Sequence, residues 1–503
     1  MRALQKVFIV VFLSTIFVLS SLTGVLASGA AVQGAGSTWS QIAVDQWRAD
    51  VKTKLGLTVN FTGNGSSAGR ALYVAGKVDF AVSEIPFSKE GDPGIVAGQS
   101  EVAALQAAKT PYQYFPIVAG GTALMYNLLD KSGKRITNLQ LSPETIAKIY
   151  TGKINNWNDA AITKDNGGRA LSSLAIKPVY RSDGSGTSAQ FTNYLAIKEN
   201  KYWAPFAKAN GIPSSIGTSN FPNAVGFIGQ SGSDGVANYV ANAATGLGAI
   251  GYVETGYALQ RGFPVVAVEN KSGHYVLPTP VNVSTALQAA RLASDNTQIL
   301  TGVYNNTESN AYPISSYSYM ITPKGYGISN AKGAVLSQFV KYFACDGQQK
   351  ASVLGYAPLP PTLVQVVFNA ISNIPGHVSV PSKPTAANCN NPTFHGQLGP
   401  NADSAGASSS GNTGGASSGS TGSTGTTGGV DSGSTGTTGG AGTNESSLQA
   451  VNLKVSPQGS SVALPALILL VVIVGPAVAL LGYQSFTNRK TQGRRASSES
   501  EDV

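Results

Sequence analysis

The sequence predicts an α/β head, a flexible tether and one membrane-crossing helix. Three observations carry that expectation. Short apolar, strand-like runs alternate with amphipathic stretches from about residue 31 to residue 400. A run of about 60 residues dominated by Gly, Ser and Thr follows. Then Val462 to Leu481, about 20 uncharged apolar residues, precede a basic tail.

The first residues read as an export signal rather than a part of the fold. Arg2 and Lys6 precede an uncharged apolar run from Val7 to Leu19, and Val25-Leu26-Ala27 resembles a small-residue cleavage site. Residues 1–27 are therefore assigned to a secretory signal peptide. No Cys follows it, which argues against a lipid-modified N-terminus of the bacterial lipoprotein kind. At the other end, Arg489, Lys490, Arg494 and Arg495 follow the apolar run. The positive-inside rule then places a tail of residues 482–503 in the cytoplasm and the head outside the cell. Residues 401–461 cannot bury a core and are expected to be a flexible linker with a reach of roughly 40 Å. The expected localisation is the cell surface, with the head extracellular and anchored by the C-terminal helix.

Within the head the elements read in order. LTVNFTG (57–63) is strand-like, GRALYVAGK (69–77) helical, and VDFAVSE (78–84) strand-like. YQYFPIVAGGTALMYNL (112–128) reads as paired strands. SPETIAKIYTG (142–152) is a helix with Ser142 as cap, Pro143 in its first turn and Gly152 beyond its last apolar residue. AIKPVY (175–180) is a strand, SAQFTNYLAI (188–197) a helix, and GLGAIGYVE (246–254) a buried strand.

Between the strand and the helix at 175–197 lies RSDGSGTS (181–188). Its glycines let successive N–H groups converge, its hydroxyls add donors, and Arg181 adds a planar fork suited to an oxyanion. In open α/β sheets ligands bind at such strand-to-helix loops, where helix N-termini aim free N–H groups. GAGSTWSQIAVDQW (34–47), with Ser37 and Thr38 at a helix start, and NGSSAGRAL (64–72), with Ser66 and Ser67, have the same form. Three hydroxyl-rich helix starts in one head point to an anion site.

Other functional classes find less support. Gly184-Ser185-Gly186 lacks the spacing of a hydrolase nucleophile elbow, and there is no P-loop or dinucleotide-binding fingerprint. The three histidines, His274, His377 and His395, form no ligand-spaced cluster, so neither a metal nor another cofactor is expected. The net charge of +9 contains no basic run of the nucleic-acid-binding kind. Cys345 and Cys389 either stay reduced or form one disulfide pinning the C-terminal segment to the head.

Taken in order, GAGSTW (34–39), GNGSSAGR (63–70), VDFAVSEIPF (78–87), IYTGKINNWND (149–159), YRSDGSGTSAQFTNYL (180–195) and SDGVANYVANAATGLGAIGYVE (233–254) resemble the signature segments of a known family. It is the family of PstS-type phosphate-binding receptors of phosphate ABC transporters. The resemblance covers the head nearly end to end. It implies a two-lobed periplasmic-binding-protein fold of the second type, with lobe 1 at 31–117 and 280–398 and lobe 2 at 118–279. It also implies a non-enzymatic receptor that captures inorganic phosphate for permease subunits. Carried over by motif, Thr38 and Trp39 would supply hydroxyl and backbone donors, with Trp39 standing where the family usually has Phe. Ser66 would donate from a second helix start. Arg181 would contact the anion, oriented by Asp183, and Ser185, Gly186 and Thr187 would complete the nest.

Two features depart from the family pattern. Glu84 stands where the family has an Asp that accepts the proton of bound phosphate. Its extra methylene displaces the carboxylate by more than about 1 Å. That is to be met by a backbone shift or by relaxed selectivity toward other oxyanions, unless Glu84 points away as a surface residue. The C-terminal anchor replaces the soluble or lipid-anchored forms usual in the family. Alternative readings of the same residues are a phosphatase-like surface enzyme, or a sensor or adhesion module that uses the fold without transport.

Overall fold

The computed structural model describes residues 29–212 and 216–399. The signal peptide, the linker, the apolar run at 462–481 and the tail all lie outside the described residues. Among the described residues, no helix is long and apolar enough to cross a membrane.

In chain order the strands are β1 (Val32–Gly36), β2 (Val59–Gly63), β3 (Phe80–Ser83), β4 (Tyr112–Tyr126), β5 (Gln140–Leu141), β6 (Lys177–Arg181), β7 (Ile228–Gln230), β8 (Ala249–Glu254), β9 (Ala267–Glu269), β10 (Tyr275–Val276), β11 (Arg291–Leu292), β12 (Gln298–Ile299) and β13 (Ser315–Pro323). The helices are α1 (Gln41–Leu55), α2 (Ser66–Val74), α3 (Glu101–Ala107), α4 (Pro143–Tyr150), α5 (Ala160–Asp165), α6 (Gly186–Lys198), α7 (Asn200–Ala209), α8 (Gly232–Ala241), α9 (Thr255–Arg261), α10 (Pro280–Leu287), α11 (Thr301–Tyr304), α12 (Asn330–Ala344) and α13 (Pro361–Ile371). Eight strands form one sheet in the order β2-β1-β3-β13-β4-β8-β6-β7. β1 runs parallel to β2 and β3, and β6 runs parallel to β7 and β8. Only β13 and β4 introduce antiparallel pairings into this sheet. The result is the two-lobed α/β architecture, with helices packed on both halves.

The principal difference from the sequence reading is β4. Residues 112–128 do not form a pair of strands; Tyr112–Tyr126 is one strand that serves both halves of the sheet. It pairs with β13 through Gly121 and with β8 from Thr122 onward. Gly120 and Gly121, at the middle of this strand, allow close approach by other side chains. A Cβ on Gly120 would lie 2.7 Å from the Trp39 ring, and one on Gly121 would lie 2.6 Å from Pro278. The β13–β4 register shifts between Ser318 and Tyr319, where Pro116 has no N–H to give to the ladder.

Helix starts are also displaced from the sequence reading. α1 begins at Gln41, so Ser37 and Thr38 lie in the loop ahead of it. α2 begins at Ser66 and α6 at Gly186, each earlier than read, which brings both hydroxyl clusters into first turns. α4 follows the reading: Ser142 accepts from the Thr145 N–H, and Pro143 opens the helix. α6 is buried on nearly every face, including Phe191, Tyr194 and Leu195, so its position is fixed from all sides.

Cys345, at the end of α12, and Cys389 form a disulfide. It closes a loop with a sequence separation of 44 and ties the last described segment to the helix. Replacing both cysteines by serine should lower unfolding free energy by about 2–4 kcal/mol, measured by urea denaturation. An unchanged midpoint would show that the bridge constrains nothing.

Glu254 ends β8 beside the point where β4 changes partners, and it is wholly buried. Its Oε2 accepts from the Gly256 N–H at 2.6 Å, while its Oε1 is buried without a partner. Burial pushes this carboxyl well above its usual 4.5, outweighing the Gly256 and Thr255 N–H groups and the Tyr356 hydroxyl. A raised carboxyl contributes stability that is complete below 4.5 and lost as pH rises through the folded value. Glu254→Gln should therefore flatten the decline in stability between acidic and neutral pH. Parallel urea midpoints for the two proteins across that range would check it; identical slopes would refute it.

Candidate functional site

The strand-to-helix loops after β1, β2 and β6 converge on one buried cleft. Ser37, Thr38, Ser66, Glu84, Arg181, Ser185 and Thr187 are all at most 5 % exposed there. All nine residues expected to bind the ligand are brought together. Among the described residues, no group of His, Cys, Asp or Glu side chains could hold a metal ion.

Arg181 closes β6 with its guanidinium out of contact with water. Asp183 meets it in a two-pronged ion pair, with Nε to Oδ1 at 2.7 Å and Nη2 to Oδ2 at 2.5 Å. The Gly232 N–H, at the start of α8, also donates to Asp183 Oδ1. Burial works to raise the Asp183 carboxyl, but bonding and charge attraction to Arg181 prevail and hold it below the usual range. The remaining guanidinium nitrogen, Nη1, donates to Ser233 Oγ at 3.2 Å and Thr187 Oγ1 at 3.4 Å. Asp183 thus holds the guanidinium fork with both of its oxygens.

Glu84 follows β3 and is also wholly buried. Its Oε1 accepts from the hydroxyls of Ser37 at 2.5 Å and Ser318 at 2.8 Å, and its Oε2 from Ser66 at 2.8 Å. Burial raises this carboxyl above its ordinary value, and neither the three hydroxyls nor the Arg181 charge cancels that. Its backbone carbonyl accepts from Gln190 Nε2 on α6 at 2.7 Å and from Gln298 Nε2 at 3.3 Å.

The first turn of α6 faces this carboxylate. Ser185 caps the helix, accepting from the Ser188 N–H at 3.1 Å. Gly186 has no room for a side chain: a Cβ would lie 2.1 Å from Glu84 Oε2 and 2.6 Å from Ser66 Oγ. Gly65 is required by a similar approach, with φ at +94° and Asp183 Oδ2 and the Gly184 carbonyl within 2.8 Å of an added Cβ. Direct bonds span the cleft here, as the Ser67 N–H donates to the Gly184 carbonyl at 3.2 Å. Thr38 reaches across as well, its hydroxyl 3.0 Å from that of Ser233, which also directs its N–H at Thr38 Oγ1. Tyr257 and Tyr356 donate to the Thr38 and Trp39 carbonyls. The Trp39 N–H is taken by Ser37 Oγ at 3.0 Å, and its ring packs edge-on against Tyr356.

Ser233, Ser318, Gln190 and Gln298 were not singled out in the sequence. Ser233 stands first in the segment SDGVANYV, in the first turn of α8, so a search for further hydroxyls at helix starts would have found it. Ser318 lies in mid-strand at the register shift, and no local pattern marks it.

Together these groups form a cradle for a small, hydrogen-bonding oxyanion: one oriented guanidinium, several hydroxyls, a helix N-terminus and one buried acceptor. A profile described as a PBP superfamily domain matches residues 23–347. The phosphate-binding protein PstS of Xylella fastidiosa is 33% identical over 339 residues, 67% of this chain and 83% of the relative. That of Methanocaldococcus jannaschii is 28% identical over 357 residues, 68% of this chain and 86% of the relative. Among solved structures, the high-affinity periplasmic phosphate-binding protein PfluDING bound with phosphate superposes with a TM-score of 0.51 at 20% identity. That match covers 68% of this chain and 93% of the other and supports the shared fold. The chain is a member of the PBP superfamily and, within it, of the family of PstS-type phosphate-binding receptors.

Proposed function

We propose that this protein is a cell-surface receptor that captures inorganic phosphate and delivers it to the permease subunits of an ABC importer, without enzymatic activity. The observation that carries the reading is the Arg181–Asp183 pair set beside the first turn of α6. Asp183 offsets the guanidinium charge, so the anion is held mainly by directed hydrogen bonds from Arg181, Thr38, Ser66, Ser185, Gly186 and Thr187. The Trp39 ring packs against Gly120 and Tyr356, and its N–H would have to turn from Ser37 to reach the anion. Glu84 is the acceptor in an otherwise donor-rich site, which favours an anion that still carries a proton and disfavours sulfate.

The lobes are taken as 31–117 with 280–398, and 118–279; the change of β4 partner after Gly121 supports a boundary nearby. The Cys345–Cys389 disulfide supports an oxidising, extracellular setting for the head. The signal peptide at 1–27, the linker at 401–461 and the span at 462–481 rest on the sequence pattern.

Calorimetry of the full chain with phosphate, arsenate and sulfate tests the ligand. Arg181→Ala should weaken phosphate binding by about 3 kcal/mol, roughly a hundredfold in Kd. Asp183→Asn should weaken it by about tenfold, through a loosened guanidinium. Normal phosphate binding by the Arg181→Ala protein would place the site elsewhere, and turnover of a phosphate ester would favour a phosphatase instead. For the anchor, deletion of residues 455–503 should release the head into the medium, assayed by fractionation. A truncated protein that stayed with the membrane would overturn the anchor.

A further inference from the structure

A serine hydroxyl has one proton to donate. Ser37 and Ser66 direct theirs at Glu84, at 2.5 and 2.8 Å, and Ser318 shares its one between Glu84 at 2.8 Å and Ser40 Oγ at 3.0 Å. Ser66 is one of the groups a bound phosphate would need. The Glu84 carboxylate also lies against Gly186, on the first turn of α6 from the opposite side of the cleft. This is where an anion would meet the free N–H groups of that turn. An aspartate at the same position would draw its carboxylate back by about 1.5 Å, although the Cβ of residue 84 also lies near Gly186.

Resting on the phosphate reading above, we propose that Glu84 is a tethered occupant of the anion cradle. It holds the hydroxyls and the helix turn that the ligand uses, and capture is an exchange in which it yields them. The exchange breaks no covalent bond. The Ser66 hydroxyl rotates from Glu84 Oε2 to a phosphate oxygen, and the freed Oε2 accepts a hydrogen bond from the P–OH of the protonated phosphate, whose proton stays on the phosphate. Glu84 therefore tunes affinity as well as selectivity: it weakens phosphate binding in proportion to the time it occupies the cradle. It also links β3 to α6 across the cleft, alongside the Gln190 bond to its own carbonyl.

Two measurements on the full chain test this. The exposed Lys77, in the loop after α2, and Lys164, in α5, are replaced by Cys and spin-labelled, and the distance between them is read in phosphate-free buffer. The parent protein should give a short, narrow distribution. Glu84→Ala should give a longer, broader one that narrows when inorganic phosphate is added. In calorimetry, Glu84→Asp should bind phosphate about tenfold more tightly than the parent, as expected if the cradle is free about a tenth of the time. A Glu84→Ala distribution matching the parent's without phosphate, or no gain in affinity for Glu84→Asp, would overturn the proposal. If no variant responds to phosphate but Glu84→Ala still opens, the tethered occupant stands and the phosphate assignment alone fails.

Discussion

A guanidinium held away from water must be neutralised close by, and the cleft is organised around how Arg181 meets that requirement. Asp183, two residues on, grips it with both oxygens and is itself fixed by the Gly232 N–H. One partner in the pair is in β6 and the other in the loop that leads into α6, so the pair also sets where that helix begins. With the formal charges of the pair nearly balanced, attraction for an anion comes from oriented dipoles and hydroxyls. Such a site recognises the arrangement of donors and acceptors on its ligand more than the ligand's net charge. On the proposed phosphate reading, this is what would give the single buried acceptor, Glu84, its weight in selectivity.

The site was more legible in the sequence than the fold that carries it. RSDGSGTS combines a fork, its counter-ion, a cap and a glycine first turn within eight consecutive positions, and these chemical requirements are local. The Ser66 and Thr38 loops were legible for the same reason. Ser318 and Gln190 act on Glu84 from 234 and 106 residues away, and nothing near either in sequence records that contact. The misreading of residues 112–128 has a similar origin. Paired glycines signal a turn in isolation, and only the Trp39 and Pro278 side chains pressed against them give them another purpose. The starts of α2 and α6 were read late because Ser66 and Gly186 were taken for loop residues, whereas their amides belong to the first turns.

β4 couples the two lobes more tightly than a pair of flexible connections would. Its fifteen residues are buried along almost the whole length and bonded on successive stretches to β13 and β8. Relative movement of the lobes must therefore bend or twist a paired strand. The buried Glu254 sits beside that crossing, and the hydroxyls of Tyr257 and Tyr356 hold the Thr38–Trp39 loop by its carbonyls. A change at the crossing is felt directly by one wall of the cleft.

The disulfide has a mechanical meaning as well as a thermodynamic one. Any pull on the chain beyond residue 399 enters the head near Cys389. The bonds of Leu398, Thr393 and Asn391, to Ser352, Leu359 and Ala344, lie beyond the bridge and take that load first; without the bridge the peeling would run on past Cys389. With it, the force passes through a covalent link into the end of α12, a helix of fifteen residues packed into the core by Leu336, Phe339 and Phe343. The load is then borne in parallel by many contacts, so drag on the head strains the body of the lobe instead of unzipping its last strap.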